Sequence, residues 1–472
     1  MFTRSALVSH IVFLSLGFLS TEAGVAAQSA GPSLTGGFET TSVLYRDGRF
    51  RSNNYLKLDF VSGAFSAGIQ AEYYPDPLLG YDVNLKGIGL PGKYIAWNSG
   101  GWSVTAGDFH DQFGTGVLLR SWEDRMLGWN NSVGGGRLSY RSPDGRFSVK
   151  VLGGVPRQYL CYSATNRIAG TEASLRLGGL TLEGSATVRH DGMQTTPGGA
   201  LGASWYGKGF SARGEYVINS SGNAQTLELG YARKAFSSAL LIRRLDRMED
   251  PMGMNYLPSL SLEQTYMLAG LNPYTTFAQG ELGGNLNLFY RFKKWKFHVN
   301  GALILALPSA LEGHDNCRLA YRDINVEIER RWNRSLKTIL YLSIQENSPT
   351  HGQRNATNAQ NVVVLDGVYK TRGPLSLRLQ AQYLYSQELT KDWMAGLLEL
   401  SSTKGWSAHL RDMYNHGDTR EHYYEAGAGW TRGAFKADLS YGHQRAGLVC
   451  SGGVCRWQPE YTGGMLRMTY NF

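Results

Sequence analysis

Several features are scarce in this sequence, and each scarcity narrows the class of protein. Four cysteines among 472 residues are too few to build a disulfide scaffold. The 14 prolines form no proline-rich stretch, and no low-complexity run or shift in composition marks a linker. After residue 19 no stretch approaches the roughly 20 apolar residues that a membrane-spanning helix requires. These absences exclude a disulfide-rich scaffold and a helical membrane protein, and they favour one large domain.

Common catalytic motifs are missing as well. The sequence has no G-x-S-x-G elbow, no H-E-x-x-H, no phosphate loop and no C-x-x-C pair. We therefore predict no catalytic residue, no metal ligand and no cofactor. The segment "YNHGDTREHYY" (414–424) brings together His416, Asp418 and His422, which leaves an outer-membrane enzyme as the third and least favoured function.

The first residues are typical of an export signal. Arg4 precedes an apolar run from Ala6 to Leu19, and Val25 and Ala27 in "TEAGVAAQ" fit the specificity of signal peptidase. We expect a signal peptide at 1–27 and a mature chain at 28–472. An exported protein meets little nucleic acid, so we interpret the net charge of +9 as a basic surface towards anionic lipid or acidic polysaccharide, or as an excess of basic turn residues.

Glycine and aromatic residues are abundant. The chain has 59 Gly and 27 Tyr, and aromatics make up 12%, which suits strands better than helices. Apolar and polar residues alternate in segment after segment, as where Leu56, Leu58 and Phe60 are separated by Lys57 and Asp59. Short turns and longer loops alternate between these segments. The pattern predicts about 24 strands, within a range of about 22 to 26.

A membrane barrel explains this pattern better than a soluble sandwich. So many strands with a polar second face have no partner layer, whereas closing the sheet removes its edges and lipid covers the apolar face. We predict an all-β fold, a single large antiparallel transmembrane β-barrel with short periplasmic turns and longer extracellular loops in a Gram-negative outer membrane. The chain ends on "MLRMTYNF" (465–472). We interpret this end as the closing strand, with Phe472 as the assembly signal.

Four segments that are not ordinary strands carry a family resemblance. They are "AGDFHDQFGTGVLLRSWEDR" (106–125), "WNNSVGGGRLSYRSPDG" (129–145), "MNYLPSLSLEQTYMLAGLNPYTTFAQGELGG" (254–284) and "CSGGVCRWQPEYTGG" (450–464). The chain resembles an uncharacterised family of outer-membrane proteins from Bacteroidota, with departures such as Trp129 and Leu271. The resemblance implies location and architecture, and it implies no activity.

So wide a barrel raises the question of what fills it. Barrels of about 16 to 18 strands already enclose an aqueous channel, and we expect loops 110–134 and 248–279 to fold into the lumen. A packed cap at the extracellular rim is the alternative. In the first loop we expect apolar side chains to pack inward and the charged ones to pair with the wall. The candidate constriction residues are Gln112, Phe113, Gly114, Gly116, Arg120, Glu123, Asp124 and Arg125.

Charges of both signs fall on the polar faces of the predicted strands. Cross-strand ion pairs would hold such a wall together, and the same charges would form a selectivity surface for polar or charged solutes. Both roles are compatible. The candidate lumen-wall residues are Arg137, Arg141, Glu172, Arg176, Glu183, Arg189, Glu327, Glu329, Arg378 and Arg411.

The cysteines predict one local crosslink. Cys450 and Cys455 are separated by "SGGV", which turns tightly enough to bring two Cβ atoms to the roughly 3.8 Å that a disulfide needs. We expect a structural staple there. Whether Cys161 and Cys317 pair is left open.

These observations favour a monomeric outer-membrane channel or transporter for an unidentified polar solute. A structural, assembly or surface-export component is the alternative. The expected partners are outer-membrane lipid and lipopolysaccharide, the barrel assembly machinery and periplasmic proteins. No nucleic acid is expected to bind.

Overall fold

The computed structural model describes residues 31–313, 318–388, 391–451 and 454–472. The expected signal peptide at 1–27 and Cys317 lie outside these residues. Within them, 24 long strands pair antiparallel into one closed sheet, which confirms the predicted barrel and its strand number. The described residues contain no helix long and apolar enough to cross a membrane.

The barrel strands are numbered in chain order. They are β1 Ser33–Tyr45, β2 Phe50–Ser62, β3 Phe65–Tyr74, β4 Gly87–Ser99, β5 Trp102–Phe109, β6 Val133–Arg141, β7 Phe147–Gln158, β8 Arg167–Leu177, β9 Leu180–His190, β10 Thr195–Gly207, β11 Phe210–Asn219, β12 Asn223–Arg233, β13 Phe236–Asp246, β14 Gly280–Phe292, β15 Trp295–Ala306, β16 Leu319–Arg331, β17 Leu336–Asn347, β18 Asn358–Lys370, β19 Leu375–Tyr385, β20 Trp393–Ser402, β21 Trp406–Asn415, β22 His422–Arg432, β23 Phe435–Gln444 and β24 Tyr461–Asn471.

Each strand pairs with its neighbours in the chain, and β24 pairs with β1 to close the sheet. The register of the closing pair runs from Gly37 opposite Asn471 to Tyr45 opposite Gly463. Beyond it, the amide of Gly36 donates to the Phe472 carbonyl at 2.8 Å, and the Phe472 amide donates to the Gly36 carbonyl at 2.9 Å. A Cβ on Gly36 would collide with the Phe472 ring, so a side chain there would displace the terminal aromatic from its place across the first strand.

The two faces of the sheet differ in chemistry because side chains alternate along each strand. One face presents exposed apolar residues such as Ile95, Leu201, Leu365 and Leu439. The other carries polar residues, many of them buried. The β5–β6 and β13–β14 connections contact this polar face on many strands of the sheet. One segment can reach strands on opposite sides of a closed sheet only from inside, so the polar face is the lumen side.

The two rims also differ. At one rim, which we call the short-turn rim, the connections have two to five residues; at the other, the long-loop rim, they reach 23 residues between β5 and β6 and 33 between β13 and β14. Both described ends of the chain lie at the short-turn rim, because β1 begins there and β24 ends there. The loop expected at 110–134 is two residues shorter, since Val133 and Gly134 pair with Phe109 and Asp108 of β5.

The closing pair predicts how the barrel responds to a charge at its last residue. The Phe472 ring lies on the apolar outer face beside Tyr470, with ring centroids 5.7 Å apart. A carboxylate on that face is costly in lipid, so Phe472→Asp should lower the fraction of protein that migrates as a folded, heat-modifiable band. Asn471→Asp adds the same charge one residue earlier, on the polar face, and should assemble normally. Equal folded fractions for the two variants would contradict this reading of the closing strand.

Candidate functional site: two segments that line the lumen

We call residues 110–132 the first lining segment. Gly114 and Gly116 adopt positive φ angles of 52° and 90°, a backbone region that glycine adopts more readily than other residues. The resulting bend aims backbone amides at wall carboxylates: Gly114 donates to Glu172 Oε1 at 2.8 Å, and Thr115 donates to Glu215 Oε2 at 3.2 Å. A Cβ on Gly114 would collide with the Glu215 carboxylate. The bend therefore fixes the segment on β8 and β11 at mid-strand depth.

Apolar side chains hold the first lining segment against the wall. Phe113 and Leu119 have no exposed surface, and Val117 and Leu118 are also buried. They form one cluster with inward residues of the wall strands and with the second segment, namely Leu152, Ile168, Ala200, Val217, Ala224, Leu245, Met248, Met254 and Leu257. Full burial of a Phe or Leu side chain contributes about 1.5–3 kcal/mol, so this cluster is the main attachment of the segment.

Ion pairs flank this cluster. Asp111 accepts from Lys150 Nζ at 2.6 Å and lies 3.3 Å from Arg137 Nη1. At the other end of the segment, Arg125 reaches Glu39 of β1 at 2.7 Å. Glu123 accepts from Gln70 of β3 at 2.8 Å. The segment thus contacts the wall from Glu39 of β1 to Glu215 of β11.

We call residues 247–279 the second lining segment; it covers much of the remaining wall. Its backbone is paired with wall amides: Asn285 Nδ2 donates to the Leu260 carbonyl at 2.7 Å, Gln345 Nε2 donates to the Ala269 carbonyl at 3.2 Å, and the Leu268 amide donates to Gln382 Oε1 at 3.1 Å. Its buried side chains pack on strands β17 to β20. That cluster comprises Tyr266, Leu268, Ala269, Leu271, Tyr341, Val362, Val364, Leu384, Trp393 and Ala395.

The two lining segments meet at Arg120. Its backbone amide donates to the Met254 carbonyl at 2.6 Å, and its Nη1 donates to the Tyr256 carbonyl at 2.6 Å. Asn131 Nδ2 adds a bond to the Gly253 carbonyl at 2.9 Å. Burial lowers the pKa of Arg120 to about 10, with the nearby Arg243 charge as a lesser cause. The Tyr256 side chain is 42% exposed, so solvent reaches the lumen side of this junction.

The eight candidate constriction residues have three kinds of partner: wall side chains, the second lining segment, and groups within their own segment. Arg125 pairs with the wall carboxylate of Glu39, and Glu123 accepts from the neutral wall side chain of Gln70. Arg120 instead bonds to the second lining segment, and Asp124 accepts from the amide of Leu127 within its own turn at 3.0 Å. Gln112 donates to the Gly114 carbonyl at 3.2 Å. Contacts between two loops had no signal in the alternation pattern.

The ten candidate lumen-wall residues all lie on the polar face of their strands. Arg137, Glu172 and Arg189 contact the lining segments, whereas Glu183 pairs with Arg213 at 3.0 Å and Arg411 with Glu425 at 3.0 Å. Arg141, Arg176 and Glu327 lie nearer the short-turn rim. The sequence reasoning missed wall residues such as Lys296, Lys337, Asp366 and Glu399, although the same alternation, extended along β15, β17, β18 and β20, identifies them.

Below the second lining segment lies a cavity of about 470 Å³. Arg378 binds Asp366 there at 2.7 Å and lies 3.8 Å from Glu399. Lys337 is 3.5 Å from Glu329. We call this the mixed-charge cavity; its lining residues are Thr265, Tyr266, Lys337, Ile339, Asp366, Val368, Ser376, Arg378, Glu399 and Ser401. Charges of both signs and one aromatic ring suit a polar solute better than an apolar one.

A disulfide-bonded hairpin lies at the long-loop rim. Its strands, Gly447–Ser451 and Val454–Gln458, place Cys450 opposite Cys455, and the structure joins them in a disulfide with a Cα–Cα distance of 4.0 Å. Arg456 of the hairpin donates to the Met126 carbonyl at 2.9 Å. The hairpin thus contacts the first lining segment. Cys161 is exposed and forms no disulfide within the described residues; Cys317, whose pairing with it the sequence left open, lies outside them.

The histidine-rich segment 414–424 spans the end of β21 and the start of β22. His422 Nδ1 lies 2.8 Å from Asp412 Oδ2, and its ring stacks on Tyr414 at 4.2 Å. His416 and Asp418 lie in the turn. In the part of the chain that the structure describes, no group of three or more His, Cys, Asp or Glu side chains could hold a metal ion.

The buried Phe113 ring gives a direct test of the first attachment. Phe113→Ala should destabilise the packed state of the first lining segment by about 3–5 kcal/mol, because the ring leaves a cavity in a closed cluster. We expect faster hydrogen exchange at the Gly114 and Thr115 amides, whose acceptors are wall carboxylates. The control is Met126→Ala, since Met126 is exposed in the same segment. Equal exchange in both variants would contradict the proposed attachment.

Comparison with known families matches residues 9–472 to a family of unknown function, DUF6029, whereas comparison with curated proteins gives no match. Among solved structures, the chain is similar to the P pilus usher (PapC) translocation pore, with 11% identity over 93% of this chain and 99% of that chain and a TM-score of 0.47. It is also similar to Pseudomonas aeruginosa OccD3 (OpdP), with 9% identity over 94% of this chain and 91% of that chain and a TM-score of 0.39. The copper transporter OprC shares 10% identity over 94% of this chain and 83% of that chain, with a TM-score of 0.46. Such low similarity transfers no activity. The family match spans nearly the whole sequence, and the chain belongs to the DUF6029 family of unknown function.

Proposed function

We propose that this protein is an outer-membrane channel for polar solutes. The observation that carries the proposal is the lumen, a polar interior narrowed by two lining segments that pack one side on the wall and expose the other side to solvent. An apolar outer face supports immersion in lipid, and a polar inner face supports a water-filled path. The mixed-charge cavity offers a passing solute both cationic and anionic groups.

We also propose an orientation in the membrane, an oligomeric state and a set of partners. Short turns face the periplasm and long loops face the outside, so that both lining segments enter from the extracellular rim. The barrel is a monomer that meets lipid, lipopolysaccharide, the barrel assembly machinery and periplasmic proteins, and Phe472 contributes the assembly signal. The four segments that resemble the Bacteroidota family support that lineage. The protein acts without catalytic residues or a cofactor.

Conductance of the purified protein alone tests the proposal. Detergent-solubilised full-length barrel, inserted into planar bilayers, should give discrete single-channel steps in potassium chloride. A matched preparation unfolded by heating should give none. A folded barrel that conducts no ions and co-purifies with stable subunits would contradict the channel and favour the assembly or export component instead.

The Arg120 junction predicts how the channel width responds to mutation. Arg120→Ala removes the side-chain bond to the Tyr256 carbonyl, worth roughly 1.5–3 kcal/mol for a charged donor, and it removes a cation from the lumen. We expect higher single-channel conductance and greater uptake of large antibiotics, with the barrel assembled normally. Arg120→Lys keeps the charge and loses the planar donor group, so it separates the effect of charge from that of the bond.

Two outcomes would count against this role of Arg120. Unaltered conductance in a correctly assembled Arg120→Ala protein would show that the junction is not part of the constriction. Raised conductance in Arg432→Ala, a residue at the end of β22 on the outer face, would show that the measurement reports a general loss of charge.

A further inference from the structure

A second cavity, of about 230 Å³, lies at the short-turn rim. All the charged residues that line it are cationic. Arg331 comes from the end of β16, Arg334 from the β16–β17 turn, Lys337 from β17 and Lys370 from the end of β18. No carboxylate lines it. We call these four residues the cationic cluster.

The register places like charges directly against each other. Arg331 is opposite Lys337 in the β16–β17 pair, and Lys337 is opposite Val368 in the β17–β18 pair. Directly opposed residues have Cβ atoms about 4.5–5.5 Å apart, and like charges there are destabilising. Lys370 follows Val368 by two residues and so faces the same side. The fold therefore holds three strand-borne cations together at a cost to stability.

Neighbouring carboxylates do not neutralise this cluster. Lys337 lies 3.5 Å from Glu329, but the same carboxylate is also 2.6 Å from Lys296. Within the described ranges of the chain, Arg331, Arg334 and Lys370 have no ion-pair partner. One carboxylate thus serves two lysines, and three cations keep an excess of positive charge.

The cluster is continuous with the mixed-charge cavity. Lys337 and Val368 line both cavities, so an anion held at the short-turn rim touches the space beneath Tyr266. Rings of Arg and Lys select anions and phosphates in pores, and the guanidinium group matches oxyanions with two donors. We propose that the cationic cluster is a binding subsite for the oxyanion group, such as phosphate, sulfate or carboxylate, of a soluble polar solute.

This inference rests on the proposed channel, and it assigns the ligand to the aqueous lumen. Arg331, Lys337 and Lys370 lie on the polar face, whereas their neighbours Arg330 and Tyr369 lie on the lipid face, where Arg330 packs over the Trp332 ring at 3.6 Å. A lipid headgroup at the rim carries the same phosphate chemistry. The experiment must therefore distinguish a soluble anion from a lipid.

Calorimetric titration with inorganic pyrophosphate tests the subsite without relying on conductance. The full-length barrel in a non-ionic detergent should bind pyrophosphate, and the double variant Arg331→Gln, Lys370→Gln should bind it roughly tenfold or more weakly, because each lost cation removes a charge-assisted bond. The double variant Arg330→Gln, Arg432→Gln is the matched control, since it removes two cations from the same rim on the outer face. Its affinity should equal that of the wild type.

Two further arms separate the outcomes. Transfer to phosphatidylcholine or phosphatidylglycerol nanodiscs should leave the pyrophosphate affinity unchanged, and loss of binding only in phosphatidylglycerol would overturn the soluble-anion assignment. In planar bilayers, pyrophosphate on the short-turn side should reduce chloride current in the wild type and not in the double variant. Pyrophosphate binding in a barrel that does not conduct would reject the channel and keep the subsite. A conducting barrel whose variants all bind pyrophosphate with the same affinity would overturn the subsite. A conducting barrel that binds no pyrophosphate would overturn it as well.

Discussion

The circumference of a closed 24-stranded sheet imposes the constraint on which most of this structure depends. In a small barrel, wall side chains fill the interior, whereas barrels of about 16 strands or more leave an aqueous space. Polar residues on the inner face then need either water or protein beside them. Here the two lining segments occupy the long-loop half of the lumen. Wall side-chain amides such as those of Asn285 and Gln345 donate to carbonyls of the second segment. Irregular backbone is tolerated at membrane depth because the wall satisfies it.

Three buried arginines of the wall bond to the loops between strands, and each uses one ion pair and one backbone carbonyl. Arg157, Arg189 and Arg243 each form an ion pair, with Glu72 at 2.6 Å, Asp250 at 2.9 Å and Glu281 at 2.9 Å. Each also donates to a backbone carbonyl in a connection, those of Tyr159, Leu118 and Pro258. Buried ion pairs add little net stability, but breaking one leaves a costly unpaired charge. Their effect is therefore specificity, since the connections are held at defined positions on the wall.

The barrel was predictable from the sequence because its signal is local. A two-residue alternation needs only neighbouring residues to be read, and it gave the strand number, the closing strand and the polar face. The lining contacts are not local: Thr115 and Glu215 are 100 residues apart, and Arg120 and Tyr256 are 136 apart. The sequence shows that the β5–β6 and β13–β14 connections are long and partly apolar. It does not show that Arg120 bonds to the Tyr256 carbonyl. The opposition of Arg331 and Lys337 likewise appears only when the strand register is known.

The lumen is divided along its axis because the lining segments enter from one rim only. On the long-loop half, wall charges are matched by segment charges and carbonyls, so the segments determine the width of the path more than its net charge. Near the short-turn rim, in the part of the chain that the structure describes, residues such as Arg331 and Lys370 keep exposed charge. Electrostatic attraction is weaker in open water than beside low-dielectric walls, yet a cluster of like charges still raises the local concentration of anions. Under the proposed channel function, size discrimination and charge discrimination fall to different residues, so a mutation in one half should alter one property and leave the other largely intact.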